Sequence, residues 1–296
     1  MSRLCIASRC LALVFIFTVA LGSGVSAQTE TKRSSTADKK SAPKKPEPDT
    51  VVAYKTIDGV TLSLHAFVPA KATESPRAAI VFFFGGGWNG GTPSQFYGQS
   101  RHLADLGMVC FCAEYRVKSR NGTTPKECVA DGKSAIRWVR ANAKEFNIDP
   151  ARIAAGGGSA GGHVAAATAT VTVFDSPSDD TEISPRPSAL ALFNPVYDNG
   201  PEGYGHSRVK DYWQKISPAH LLTKDVPPAI VFLGTKDKLI PVSTAEAFQS
   251  KMKALGVRSD LHLYKDATHG FFNKGEAYED TLGKTEAFFR SLGYLD

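Results

Sequence analysis

Gly156-Gly157-Gly158-Ser159-Ala160-Gly161-Gly162 is the stretch whose reading decides the fold. It contains G-x-S-x-G at Gly157, Ser159 and Gly161. It directly follows a short apolar run, Arg152 to Ala155, and opens a helical stretch of small residues from Ser159 to Val171. A serine in that context sits on a sharp strand-to-helix turn, with its hydroxyl exposed above a sheet. The turn is so tight that the positions two away on either side must lack side chains. The start of a helix also favours negative charge developing at that point. A phosphate-binding loop would share the glycines. However, no lysine follows as in a P-loop, and the glycine spacing does not stand early in the chain as a dinucleotide fingerprint would.

Working outward, Val51 to Ile57 and Val60 to Val68 flank Asp58-Gly59, the pattern of a β-hairpin. Ala78 to Phe84 is a short apolar run ending in glycines, as a buried central strand would be. Further strands are expected at Met108 to Glu114, Ala189 to Phe193, Ala229 to Leu233 and Asp260 to Tyr264. Helices are expected at Phe96 to Leu106, Thr124 to about Phe146, Ser243 to Leu255 and Tyr278 to Leu292. Pro125 suits a first helical turn. A hairpin followed by alternating strands and helices predicts a mostly parallel, doubly wound sheet with helices on both faces. Active groups in such sheets gather at the carboxyl ends of the strands.

A serine nucleophile needs a base, and the base needs a group to orient it. In this class of sheet the order along the chain is serine, then an acid, then histidine. Asp237 follows a buried strand in Leu233-Gly234-Thr235-Lys236-Asp237, and His269 follows the last strand in Asp266-Ala267-Thr268-His269. Asp266 is a weaker rival, too close in sequence to His269 to reach around it. His163 rides the nucleophile helix and reads as structural. His65, His102 and His262 read as surface or packing residues, and one of His206 and His220 could line the pocket. A developing oxyanion needs donors. Gly85-Gly86-Gly87 lets backbone N–H groups approach the substrate, and the N–H of Ala160 supplies another donor.

These pieces together resemble an α/β-hydrolase esterase of the hormone-sensitive-lipase and acetyl-xylan/feruloyl esterase type, across residues 51–296. The resemblance rests on Gly85-Gly86-Gly87-Trp88, Glu114-Tyr115-Arg116, Ala135-Ile136-Arg137-Trp138-Val139, Gly157 to His163, Gly234 to Pro241 and His269-Gly270-Phe271. It implies an α/β-hydrolase fold, an oxyanion hole of Gly86, Gly87 and Ala160, and ester hydrolysis without cofactor or metal. The family usually has histidine before the three glycines, where this chain has Phe84. That substitution should change how the loop packs while leaving activity intact. Lipase-like relatives carry a helical cap ahead of the core, whereas here only a linker precedes the hairpin. The main insertion, Tyr197 to Pro227, is short. Trp88, with Tyr204 and Trp213 of the insertion, are the candidate substrate-binding aromatics, and an open aromatic-rimmed cleft suits short acyl or carbohydrate esters. A serine peptidase of the prolyl-oligopeptidase type and an inactive binding protein on the same fold are the competing expectations.

Composition sets the surroundings. Hydrophobic residues make up 42 % of 296, enough for a sizeable core, and the mean hydropathy of −0.18 excludes a multi-span membrane protein. Arg3 and Arg9, the apolar run Leu11 to Leu21 and the small residues up to Ala27 form a signal-peptide pattern over residues 1–27. An exported, periplasmic or secreted enzyme is therefore expected. Residues 28–50, rich in Lys, Ser, Thr and Pro without an aromatic, read as a disordered linker. The net charge of +6 is carried largely by these two segments, leaving 27 basic and 25 acidic residues in 51–296. That balance argues against a nucleic-acid partner, and the basic linker would give a weak pull toward the cell envelope. Cys110, Cys112 and Cys128 follow the signal segment. They are read as three buried thiols, with a disulfide from Cys128 to Cys110 or Cys112 left open.

Overall fold

The computed structural model describes residues 46–296; the expected signal segment and most of the linker lie outside the described residues. Eight strands form one sheet in the order β1-β2-β4-β3-β5-β6-β7-β8. They are β1 (Thr50–Ile57), β2 (Val60–Phe67), β3 (Arg77–Phe83), β4 (Val109–Ala113), β5 (Ile148–Gly158), β6 (Leu190–Phe193), β7 (Ala229–Gly234) and β8 (Ser259–Tyr264). The β1–β2 hairpin turns at Asp58-Gly59, both with positive φ. It joins β4 antiparallel, and every later pairing is parallel. The helices are α1 (Tyr97–Asp105), α2 (Lys118–Asn121), α3 (Pro125–Ala141), α4 (Ala160–Thr170), α5 (His206–Val209), α6 (Val242–Ala254) and α7 (Gly275–Ser291).

The period-2 geometry of a strand sends alternate side chains to opposite faces. On β3, Ala79, Val81 and Phe83 enter one core with α3, α4 and α6. Ala78, Ile80 and Phe82 enter the other with α1 and α7. Central strands buried on both faces read as continuous apolar runs for this reason. Among the described residues, no helix is long and apolar enough to cross a membrane.

Two expected boundaries shift. The helix from Thr124 is capped as a capping box, Thr124 and Glu127 each bonding the other's backbone. It ends at Ala141 instead of near Phe146. The chain reverses there to enter β5, with Asn147 in the left-handed region (φ 52°) and the Ile148 N–H closing onto the Ala143 carbonyl. The strand expected at Arg152 to Ala155 runs from Ile148 to Gly158, because its glycines keep pairing with β3 and β6 up to the turn.

The disulfide left open by the sequence does not form. Cys110 and Cys112 lie in the α1/α7 core and Cys128 in the α3 core, on opposite faces of the sheet, and all three are free and buried. The Cys128 thiol donates instead to the Arg116 carbonyl at 3.1 Å. Burial pushes all three thiols above their ordinary range, Cys112 to about 12.

Composition gave no hint of a buried ion network along α3. Asp131 accepts from Lys55 Nζ at 2.7 Å and from Arg116 Nε at 2.9 Å, and all three are nearly or fully buried. Arg137 reaches Asp175 and Asp179, each at 2.7 Å.

Candidate active site

The turn at Ser159 is enforced by crowding. Ser159 adopts φ 54°, ψ −119°, a conformation an L-residue holds only when its surroundings dictate it. Its N–H donates to the Phe193 carbonyl of β6, and its carbonyl accepts from His163 and Val196. A Cβ on Gly161 would come within 2.0 Å of the Phe83 carbonyl, and one on Gly157 within 2.5 Å of Gly161 backbone. Only glycine lets strand, turn and helix pass this closely.

The turn brings together three residues far apart in sequence. His269 Nε2 stands 2.8 Å from Ser159 Oγ, and His269 Nδ1 stands 2.7 Å from Asp237 Oδ2. The Asp237 side chain is fully buried. Its other oxygen, Oδ1, accepts the N–H groups of Leu239 (2.8 Å) and Ile240 (3.0 Å). Burial alone would raise the Asp237 carboxyl. The hydrogen bonds from His269 and the two amides outweigh it and hold the group below the usual carboxylate range. Asp266, the rival acid, turns outward to Lys236 at 3.0 Å.

Above Ser159 lies the glycine loop. Gly86 (φ 131°) and Gly87 (φ 62°) carry it over the cleft. Among the described residues, the N–H groups of Gly86, Gly87 and Ala160 have no acceptor within the chain, while the Gly85 N–H is held by Gln95 Oε1 at 2.6 Å. Phe84 anchors the loop from below. Its ring stacks on Tyr115 (centroids 4.1 Å apart), and the Tyr115 hydroxyl donates to the Phe84 carbonyl at 2.6 Å. An aromatic stack thus supports the loop where a histidine was expected.

The cavity at Ser159 has a volume of about 280 Å³. Its wall includes Gly86, Gly87, Tyr204, Leu239, His269 and Phe272. Of the three aromatics expected to touch substrate, only Tyr204 lines it. Trp88 is buried (2 % exposed); its indole N–H donates to His163 Nδ1 at 3.3 Å and its ring packs edge-on against that imidazole. Trp213 packs against His206 and His220, away from the cavity. The amphipathic look of tryptophan does not distinguish a rim from a core that offers a hydrogen-bond acceptor. His206 and His220 likewise turn to local partners, the Asn199 carbonyl and Ser217 Oγ. His163 bonds the Ile216 carbonyl at 3.0 Å, and burial drives its pKa down to about 4.

Several residues of the site were missed by the sequence reading. Asn194, at the end of β6, accepts the Gly270 N–H at 2.9 Å and lies 3.4 Å from His269 Nε2, so it helps fix the histidine loop. Its place at a strand end was the available signal. Gln95 and Asn273 are joined at 3.1 Å, and Asn273 Nδ2 donates to the Gly270 carbonyl at 2.8 Å. Arg208 reaches across from α5 to the Gly87 carbonyl and lies over the rings of Trp88 and Tyr204. No local pattern marks these last three. Among the described residues, no group of three or more His, Cys, Asp or Glu is placed to hold a metal ion.

Residues 64–189 match the family described as BD-FAE, and residues 203–295 match the dienelactone hydrolase family. The apo structure of Thermogutta terrifontis esterase 2 is similar at 42 % identity and a TM-score of 0.81, covering 86 % of this chain and 98 % of that one. Structures of that esterase with propionate or butyrate bound give TM-scores of 0.80 and 0.79, and one phosphorylated by paraoxon gives 0.80. Esterase LipC of Mycobacterium tuberculosis is 29 % identical over 66 % of this chain and 53 % of its own length. An acetylxylan esterase of Xylanibacter ruminicola is 29 % identical over 71 % and 44 %. The chain spans about half the length of the curated relatives it matches.

Proposed function

The chain belongs to the α/β-hydrolase esterases, and on that footing we propose that it hydrolyses carboxylic esters through an acyl-enzyme on Ser159. The observation that carries the reading is the continuous relay from Ser159 Oγ through both nitrogens of His269 to Asp237. In the proposed reaction His269 Nε2 takes the Ser159 proton as Oγ attacks the carbonyl carbon. The N–H groups of Gly86, Gly87 and Ala160 receive the oxyanion. His269 then gives the proton to the departing alkoxide, releasing the alcohol. Water, deprotonated by the same nitrogen, hydrolyses the acyl-enzyme and frees the acid. Asp237 keeps the Nδ1–H of His269 in place throughout.

A small cavity of about 280 Å³ at Ser159, walled by Leu239, Phe272 and Tyr204, favours short acyl groups. The related Thermogutta esterase with propionate or butyrate bound points the same way. Export through residues 1–27 belongs to the proposal, and a mature N-terminus at Gln28 would mark it. The test is a series of 4-nitrophenyl esters from acetate to laurate, with fluorophosphonate labelling. Turnover should be greatest among the short esters, and Ser159→Ala should lose labelling and about 10⁴-fold or more in kcat. A wild-type enzyme inert to every ester and to the probe would overturn the reading.

A further inference from the structure

Gly85-Gly86-Gly87 has no side chains with which to anchor itself. A Cβ on Gly85 would come within 2.9 Å of the Gly158 carbonyl, so the loop passes the Ser159 turn this closely only because it is bare there. Its place is set by neighbours. On one side the Gly86 carbonyl accepts the N–H groups of Asn89 and Gly90. On the other the Gly85 N–H donates to Gln95 Oε1 at 2.6 Å, and a chain of side-chain amides continues from that bond. Gln95 Nε2 donates to Asn273 Oδ1 at 3.1 Å, and Asn273 Nδ2 donates to the Gly270 carbonyl at 2.8 Å. Gly270 directly follows His269, and its own N–H donates to Asn194 Oδ1 at 2.9 Å.

The polarity of this chain is fixed at both ends. A side-chain amide offers an oxygen that accepts and a nitrogen that donates. The Gly85 N–H requires the oxygen of Gln95, which turns Nε2 toward Asn273. The Gly270 carbonyl requires the nitrogen of Asn273, which turns Oδ1 toward Gln95. Flipping either amide would set like groups against each other at two points. The two loops joined in this way carry opposite ends of the proposed transition state: the oxyanion at Gly86 and Gly87, the moving proton at His269. We propose that Gln95 and Asn273 are positioning residues that set the separation of these two loops, so that oxyanion donors and base act on one substrate geometry. The inference rests on the esterase reading of the Ser159 site. Both side chains also line the Ser159 cavity, so direct contact with substrate is the competing role. A contact made equally in ground and transition states shows in KM. A displaced loop shows in kcat, where a shift of about 1 Å costs up to about 10²-fold.

Gln95→Met keeps the length of the side chain and removes its amide; Asn273→Ala removes the partner. Gln95 is half-buried and Asn273 exposed, so neither change opens a void in the core. The assay is 4-nitrophenyl acetate turnover by full-chain single and double variants, with thermal melting alongside. Each single variant should lose about tenfold or more in kcat with KM within about twofold of wild type. The loss in the double variant should fall well short of the product of the two, since a chain cut twice is little worse than a chain cut once. Melting temperatures should stay within about 2 °C of wild type. The proposal is overturned by a raised KM with kcat kept, by losses that multiply, by an unchanged kcat, or by a loss of activity that matches the unfolded fraction. Failure of the esterase reading shows separately, as a wild-type enzyme unable to cleave 4-nitrophenyl acetate and unlabelled by a fluorophosphonate.

Discussion

Replacing Asp237 by asparagine alters the proposed relay with almost no change in shape, and the structure fixes how the new side chain must sit. Asp237 Oδ1 accepts two backbone N–H groups, from Leu239 and Ile240. Only the oxygen of an amide can replace it there, so the amide nitrogen is forced into the Oδ2 position, 2.7 Å from His269 Nδ1. That nitrogen donates, so His269 Nδ1 must become an acceptor and its proton moves to Nε2. The nitrogen that faces Ser159 Oγ at 2.8 Å can then no longer take the serine proton. A wrong tautomer of this kind costs about 10⁴-fold in kcat, or about 5.4 kcal/mol of transition-state stabilisation. The assay is kcat on 4-nitrophenyl acetate at neutral pH, with circular dichroism and thermal melting to show that the fold is intact. A folded Asp237→Asn enzyme losing less than about tenfold would refute the role given to the tautomer.

Other expectations follow from the buried groups. His163 binds its proton near pH 6.5 when unfolded and near about 4 when folded, because burial penalises the charged ring. Between those values the unfolded state holds more protons, so stability falls as pH falls, by about 2 kcal/mol from pH 7 to pH 5; His163→Gln should flatten urea-derived stability over that interval, and an unchanged slope would count against it. Asp131→Asn should cost about 3–5 kcal/mol, since Lys55 and Arg116 would lose the charge they share in the interior; a urea midpoint barely moved would show the network to be dispensable. With all three thiols free, a reductant should leave the melting temperature unchanged, whereas loss of a disulfide would lower it by about 4 °C or more.

Much of the fold was legible because its central strands are short, apolar and evenly spaced between helical periods. The turn at Ser159 was legible because steric crowding admits only glycine at Gly157 and Gly161, two positions away on either side. Chain order and strand ends then led to Asp237 and His269, and the structure places His269 within hydrogen-bond reach of both Asp237 and Ser159. What escaped was set by tertiary neighbours. Trp88 looks like a rim residue until the acceptor on His163 is known. Gln95 and Asn273 are ordinary surface types until folding brings together positions 178 residues apart. The end of α3 slipped because nothing in Ala143 to Phe146 forbids a helix; the need to reach β5 does.

Arg208 reaches from the insertion to the carbonyl of Gly87 and lies over Trp88, while Tyr204 beside it lines the cavity at Ser159. The segment from 197 to 227 is therefore tied to the same loop that is proposed to receive the oxyanion. Anyone exchanging it to retune specificity would also be loosening a rivet of the proposed reaction centre. A transplanted segment needs its own cation at that carbonyl if the loop is to hold its shape.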